Sequence, residues 1–187
     1  MLTFDTLYYE QPGTGTYYPL LARKISVNGC RVKIELDPRA RFHNGSFVTS
    51  KDLKRTLEML KKEGTAYFRT YIKLINTIEI LDQKTLELTL SQPVDADIFE
   101  CIAHCVVFSR RQLNRHFSKN LHLRLMGTGP YKIATVSWGR HIQFVKNPQY
   151  WAKDFLIRRG KFNFDSISID YFKDYTGFFE AFKKRTV

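Results

Sequence analysis

Alternation of apolar and polar residues is the clearest pattern in the chain, and it predicts paired β-strands. Residues 25–36 alternate on both sides of Asn28-Gly29, a dipeptide typical of two-residue hairpin turns. Residues 78–90 alternate around Asp82-Gln83-Lys84 and predict a second hairpin. Shorter runs predict further strands at 106–108, 131–134, 142–145 and 167–172.

Helical spacing is strongest over residues 50–63, where leucines recur three and four positions apart. Thr49 and Asp52 resemble a capping box at the start of this helix, and Gly64 is placed to end it. The same spacing predicts two further helices, around 97–103 and 178–182.

The first 22 residues give a weaker signal, which predicts a short helical or extended piece followed by a loop at 11–15. Helices and strands interleave along the rest of the chain, and some of the strands form hairpins. The predicted fold class is therefore mixed α/β: a mixed sheet with hairpins and flanking helices.

Composition supports a packed core. The chain has 187 residues, of which 43% are hydrophobic and 14% aromatic, which excludes a disordered segment. The longest apolar stretch, 98–108, is too short for a membrane span and contains Glu100 and His104. The first residues show no secretory signal, so a mature form, a cytosolic protein and a fragment all stay open.

Net charge extends the range of functions to be considered. Thirty Lys and Arg against 18 Asp and Glu give +12, which suits nucleic acid, an anionic membrane or an acidic ligand. The basic residues are scattered and lack the spacing of known nucleic-acid-binding motifs, so a solvated basic surface is favoured and a basic nucleic-acid-binding module is kept as an alternative. Their clusters are Lys61-Lys62, Arg110-Arg111, Arg158-Arg159-Gly160-Lys161 and Lys183-Lys184-Arg185.

The sequence offers no catalytic or metal-binding constellation, so neither an enzyme nor a cofactor is predicted. Cys101 and Cys105 stand four residues apart beside His104, but a closed zinc site needs four ligands, and neighbours on one helix rarely form a nucleophile and base pair. Buried, inert thiols are favoured instead. The histidines show no ligand spacing; they are His43, His104, His116, His122 and His141.

Three sequence blocks in order resemble a known family. Residues 42–53, FHNGSFVTSKDL, resemble the pattern F-H-D/N-G-x-P-[VF]-T-A-x-D-V of the extracellular solute-binding proteins of the peptide/nickel class, family five. Residues 127–133, GTGPYKI, and 147–151, NPQYW, resemble two further blocks of that family. The chain departs from the pattern at Asn44, where Asp is commoner, and has no proline after Ser46, where Phe47 stands.

The resemblance implies a partial lobe of periplasmic-binding-protein type II-like fold, because family members are far longer and close two lobes on a ligand. It implies a smaller subdomain at 23–126, with 1–22 and 127–187 in the main lobe. Residues 158–167 and 180–183 resemble the oligopeptide and microcin C-uptake subgroup. The family blocks themselves suit scaffold roles better than ligand contacts.

The implied function is the substrate-binding component of an ABC-type importer for peptides or peptide-like solutes, located in the periplasm and presenting its ligand to an inner-membrane permease. The binding protein itself does no chemistry. A non-functional fragment of such a protein is the alternative from within the family. A severed lobe should also expose apolar surface and self-associate.

The resemblance also implies the ligand-facing residues. Tyr67 and Tyr71 are expected to stack on or hydrogen-bond to a peptide, although both could simply cover the core. His104 and Cys105 lie near a second ligand-facing stretch. The basic charge of the chain favours ligands that are acidic or carry a terminal carboxylate.

Overall fold

The computed structural model of the protein describes residues 2–113 and 126–184. Its strands are β1 (Tyr8–Gln11), β2 (Thr16–Pro19), β3 (Ala22–Asn28), β4 (Arg31–Leu36), β5 (Ile75–Ile80), β6 (Thr85–Leu90), β7 (Tyr131–Ser137), β8 (His141–Lys146) and β9 (Ser166–Asp170). Its α-helices are α1 (Ser50–Glu63), α2 (Ala66–Ile72), α3 (Ala96–Ala103), α4 (Arg110–Leu113) and α5 (Tyr175–Lys183).

Both predicted hairpins are confirmed, and they join into one four-stranded antiparallel sheet in the order β3-β4-β6-β5. The pairing of Ile34 with Leu86 and of Val32 with Leu88 joins the two hairpins, and these four side chains are fully buried. Gly29 has φ +58°, the conformation that the tight turn of the first hairpin requires. The sheet therefore presents one apolar face to the core.

Helix α1 covers that core, as predicted, from Ser50 to Glu63 with Gly64 at its end. The Asp52 carboxylate accepts from the Thr49 backbone N–H at 3.0 Å, which forms part of the capping box. On the polar side of α1, the Lys54 and Lys61 ammonium groups donate to carbonyls of the edge strand β5. These two lysines thus satisfy carbonyls of the edge strand β5 and place positive charge beside it.

The second sheet is antiparallel, in the order β7-β8-β9, and confirms the strands predicted at 131–134, 142–145 and 167–172. The final helix, α5, is also confirmed. Its apolar side remains at the surface: Phe178 and Phe182 are 41% and 62% exposed, with ring centroids 6.5 Å apart. We call Phe172, Phe178 and Phe182 the aromatic face.

Two predictions were wrong. Residues 1–22 do not end in a plain loop, because β1 and β2 pair as a hairpin around a turn in which Gly13 and Gly15 take positive φ. Residues 106–108 form no strand, since Val106 makes a single bridge, to Thr6. In both places only short backbone pairings form, and periodicity detects such pairings poorly.

A buried ion pair joins distant parts of the chain. The fully buried Asp5 carboxylate accepts from Arg158 Nη2 at 2.8 Å, Tyr150 Oη at 2.9 Å and Trp151 Nε1 at 3.1 Å, and its backbone N–H donates to Thr128 Oγ1. Burial raises the pKa of Asp5 to about 6, against the attraction of Arg158. The Gly-Thr-Gly-Pro and Asn-Pro-Gln-Tyr-Trp blocks therefore have scaffold roles.

His43 ties the first family block to the second. Gly127 N–H donates to His43 Nδ1 at 3.2 Å, and His43 Nε2 lies 3.0 Å from the Gly129 carbonyl oxygen. The ring satisfies both contacts only as the neutral tautomer with its proton on Nε2. Burial accordingly lowers the pKa of His43 to about 4.

Within residues 2–113 and 126–184, every helix is too short or too polar to cross a bilayer. The basic clusters are not all solvated: Arg158 is buried against Asp5. His116, His122 and Arg185 lie outside the described residues.

Candidate ligand-binding site

Helix α2 carries the two tyrosines that the resemblance implies. Tyr67 and Tyr71 stand one helical turn apart, and their ring centroids are separated by 5.3 Å at an interplanar angle of 67°. Tyr67 is 42% exposed, whereas Tyr71 is half-buried and packs against the core cluster. Tyr67 is therefore accessible at the surface, whereas Tyr71 covers part of the core and contacts the Tyr67 ring.

Helix α3 and the β1–β2 hairpin bring a second aromatic group to the same part of the molecule. The Phe99 ring makes edge contacts with Tyr17 at 5.5 Å and Tyr8 at 6.2 Å, and the His104 ring lies 5.8 Å from Tyr17. Asp95 accepts from the Ile98 N–H and starts α3, which sets the direction of the helix.

Electrostatic interactions connect Tyr67 with Tyr71, Tyr17 and Glu100. The pKa of Tyr67 is raised to about 12. Burial is the largest cause, the Glu100 carboxylate is the next, and Tyr71 and Tyr17 contribute less. Burial and the carboxylates of Glu10 and Glu100 raise the pKa of Tyr17 as well. We define the tyrosine site as Tyr17, Tyr67, Tyr71, Phe99 and His104.

Three carboxylates surround the tyrosine site. His104 Nε2 lies 3.0 Å from Glu10 Oε2 and its Nδ1 lies 3.7 Å from Glu100 Oε1. Tyr71 Oη donates to Asp97 Oδ2 at 3.4 Å. We call Glu10, Asp97 and Glu100 the acidic rim. The chain as a whole carries +12, but the acidic rim gives this surface a local excess of carboxylates.

Cys105 lies in the core rather than at the tyrosine site. It is fully buried, and its Sγ donates to the Cys101 carbonyl oxygen at 3.3 Å. Burial raises the pKa of Cys101 to about 12 and that of Cys105 well above its ordinary value. The predicted burial is confirmed for Cys101 and Cys105 but not for Cys30, which is partly exposed, and Cys105 has no exposed surface with which to touch a ligand.

Tyr17, Phe99 and the acidic rim were missed by reasoning from the sequence. Their convergence depends on the β1–β2 hairpin, whose two strands the sequence pattern did not predict. The available signal was the tyrosine-rich stretch on either side of residues 11–15. Among the described residues, no three His, Cys, Asp or Glu side chains are grouped so as to hold a metal ion.

Comparison with known proteins identifies the architecture. The chain superimposes on AgaA, a periplasmic binding protein of A. tumefaciens R10 solved with agropinic acid, with a TM-score of 0.81 and 30% identity over 99% of this chain and 37% of that one. A binding protein of Brucella melitensis is 34% identical over 90% of this chain and 28% of its own length. The peptidoglycan-binding protein YepA of Agrobacterium fabrum is 29% identical over 89% and 28%.

The mixed α/β fold is thus that of a partial lobe of a periplasmic binding protein. The chain belongs to the bacterial extracellular solute-binding proteins, family 5, whose middle-region model matches residues 16–187. The family resemblance of the three sequence blocks is confirmed. The chain spans less than a third of the length of these two curated relatives.

Proposed function

We propose that the chain is part of the first lobe of a substrate-binding component of an ABC-type importer, located in the periplasm, that captures peptides or peptide-like solutes and delivers them to an inner-membrane permease. Membership in a family of solute-binding proteins supports binding rather than chemistry as its activity. In this proposal residues 23–126 form the smaller subdomain, and residues 1–22 and 127–187 belong to the main lobe.

The observation that carries the proposal is the tyrosine site with its acidic rim. Aromatic rings attract a cation across their faces, and carboxylates accept its N–H donors. The terminal ammonium of a peptide meets both requirements. Tyr67 and Tyr71 would stack against the first side chains of the peptide, while Glu10 and Glu100 hold the ammonium beside His104.

The similarity to a peptidoglycan-binding protein supports a solute of peptide-like chemistry, since peptidoglycan contains short peptides. One lobe supplies only one wall of a two-lobed cleft, and most of the affinity comes when the second lobe closes and excludes water. We therefore expect binding to the isolated chain to be weak but dependent on the ligand's amino terminus.

The test compares trialanine with N-acetyl-trialanine by thermal unfolding and by titration calorimetry. Trialanine should raise the Tm of the chain, because it binds the folded state, and the acetylated peptide should not. Tyr67→Ala and Glu10→Gln should abolish the rise. Tyr171→Ala is the matched control, since Tyr171 is exposed and follows β9. Equal shifts with both peptides would refute recognition of the ammonium, and no shift would refute ligand contact by this lobe.

We further propose that the isolated chain self-associates through the aromatic face of α5. This surface places Phe172, Phe178 and Phe182 side by side in water, with Phe172 and Phe178 in edge contact at 5.6 Å. A second copy of the same face would bury the rings.

A further inference from the structure

A groove with basic and aromatic walls lies outside the tyrosine site. It has a volume of about 430 Å³, within the range of small-molecule sites. One wall comes from the segment between β4 and α1, and the other from the turn after β8. The lining residues are Pro38, Arg39, Arg41, Phe47, Gln149, Tyr150, Trp151 and Lys153.

A tight turn sets the aromatic wall beside a guanidinium. Arg41 and Phe47 form an antiparallel bridge, and Gly45, at φ +83°, closes the turn between them. Asn44 Oδ1 accepts from the Ser46 N–H at 3.0 Å and stabilises that turn. As a result the Arg41 guanidinium carbon lies over the Phe47 ring, 3.8 Å from its centroid.

The contact with Phe47 and one hydrogen bond hold Arg41 in place, and its other N–H groups can donate to a ligand. Arg41 Nη1 donates to the Gly45 carbonyl at 2.8 Å, and a guanidinium has five N–H donors. Arg39 is held differently: its fork binds the Asp37 carboxylate at 2.7 and 3.0 Å. Arg41, rather than Arg39, is therefore the preorganised donor of the groove.

The charge of the groove is positive. Among the described residues that line it, Arg39, Arg41 and Lys153 are cationic and none is acidic, and the Asp37 carboxylate that pairs with Arg39 leaves Arg41 and Lys153 in excess. Lys84 adds a fourth cation 5.1 Å from the centroid of the Phe47 ring. On the opposite wall, Trp151 is anchored by its indole N–H to Asp5 and to the Thr128 carbonyl.

We propose that this groove binds a small organic anion, a phosphate or carboxylate carried on a flat apolar group. The anion would accept hydrogen bonds from the guanidinium of Arg41 and the ammonium of Lys153. The flat group would lie between Phe47 and Trp151. Phe47 stands where the resembled family pattern has proline, a residue that would not provide an aromatic ring. The proposal is independent of the tyrosine site, with which the groove shares no residue.

The two tryptophans allow a direct test with phenyl phosphate as the probe. Trp151 lines the groove, whereas Trp138 is 64% exposed at the end of β7, so ¹H–¹⁵N NMR gives one indole signal inside the groove and one outside it. Trp138→Phe assigns the signals. We expect phenyl phosphate to shift the Trp151 signal saturably and to leave that of Trp138 in place.

Three variants locate the binding. Arg41→Gln should weaken phenyl phosphate binding roughly tenfold or more, because a charge-assisted hydrogen bond is lost. Phe47→Pro restores the family residue while removing the ring, and it should weaken binding of phenyl phosphate more than that of inorganic phosphate; Phe47→Leu checks this result if the proline variant unfolds. Lys24→Gln, an exposed site on β3, is the control for net charge and should bind as the unaltered chain does.

Each contrary result overturns the proposal. No saturable shift of Trp151 up to the solubility limit means that the groove is not a site. Equal weakening by Lys24→Gln and Arg41→Gln means nonspecific attraction to the basic surface. If benzyl alcohol binds with the same affinity as phenyl phosphate, the groove does not require an anion. If phenyl phosphate binding is unchanged in Phe47→Pro and Phe47→Leu, the Phe47 ring does not contact the ligand.

Discussion

Replacement of His43 by asparagine should change how the stability of the protein depends on pH. His43 is neutral in the folded state, with its pKa lowered from 6.5 to about 4. The unfolded chain therefore binds a proton at this residue at a higher pH than the folded protein does. The stabilisation that a neutral His43 provides is present above about pH 6.5 and is lost as the pH falls toward 4.

The size of this effect follows from the shift. Between about pH 7 and pH 5, linkage to a pKa change from 6.5 to 4 removes about 2 kcal/mol of unfolding free energy, which partial exposure of the ring reduces to roughly 1–2 kcal/mol. Asp5 works in the opposite direction. Its pKa is raised from 3.8 to about 6, so its contribution is fully present below pH 3.8 and is lost as the pH rises through 6.

In the unaltered protein Asp5 offsets part of this loss, because it adds about 1 kcal/mol of unfolding free energy as the pH falls from 7 to 5. The assay is urea unfolding of the unaltered chain and of His43→Asn at both pH values. Asparagine keeps an acceptor for the Gly127 N–H, but it loses the contact with Gly129, so a lower stability at pH 7 is expected and is not the readout.

The readout is the change in unfolding free energy from pH 7 to pH 5. As the pH falls from 7 to 5, the unaltered chain should lose roughly 1–2 kcal/mol more unfolding free energy than His43→Asn does. His141→Asn is the matched control, because His141 contacts Asp170 at the surface and should leave the acid-induced loss at His43 in place. Parallel pH profiles for His43→Asn and the unaltered chain would refute the neutral, buried assignment of His43.

Three further changes test the scaffold and the aromatic face. Asp5→Asn should lower the unfolding free energy in urea by about 3–5 kcal/mol, because Arg158 is left buried without a counter-charge; a loss below 1 kcal/mol would contradict the pairing. Gly127→Ala should abolish cooperative thermal unfolding, since its Cβ would lie 1.8 Å from the Thr3 carbonyl oxygen, and a Tm near that of the unaltered chain would show that this approach is looser. Phe182→Ser should shift sedimentation toward monomer; a monomeric parent chain would disprove self-association.

Much of the fold could be predicted from the sequence because the relevant signals are local. The hairpin at Asn28-Gly29 has both an alternating pattern and a turn dipeptide, and α1 has a capping box, a periodic apolar side and a terminal glycine. The β1–β2 hairpin has neither a two-residue turn nor a clear alternation, and α2, with seven residues, is too short for helical periodicity to show.

The site could be predicted only in part, and through the family resemblance rather than through residue patterns. Tyr67 and Tyr71 are one turn apart, so their pairing is local once α2 is known. The acidic rim combines Glu10 with Glu100, which are brought together by His104 and not by any spacing along the chain. Net charge, a sum over the whole chain, carried no information about that surface.

The contacts of Asp5 also bear on the order in which the protein folds as it is synthesised. They join residues separated by 145, 146 and 153 positions, whereas all pairings of the four-stranded sheet lie within residues 22–90. The sheet can therefore form while the ribosome is still adding the second half of the chain. Asp5 stays hydrated and unpaired until Arg158 has been synthesised and has left the exit tunnel. Packing of the amino-terminal segment against residues 150–158 is therefore a late folding event.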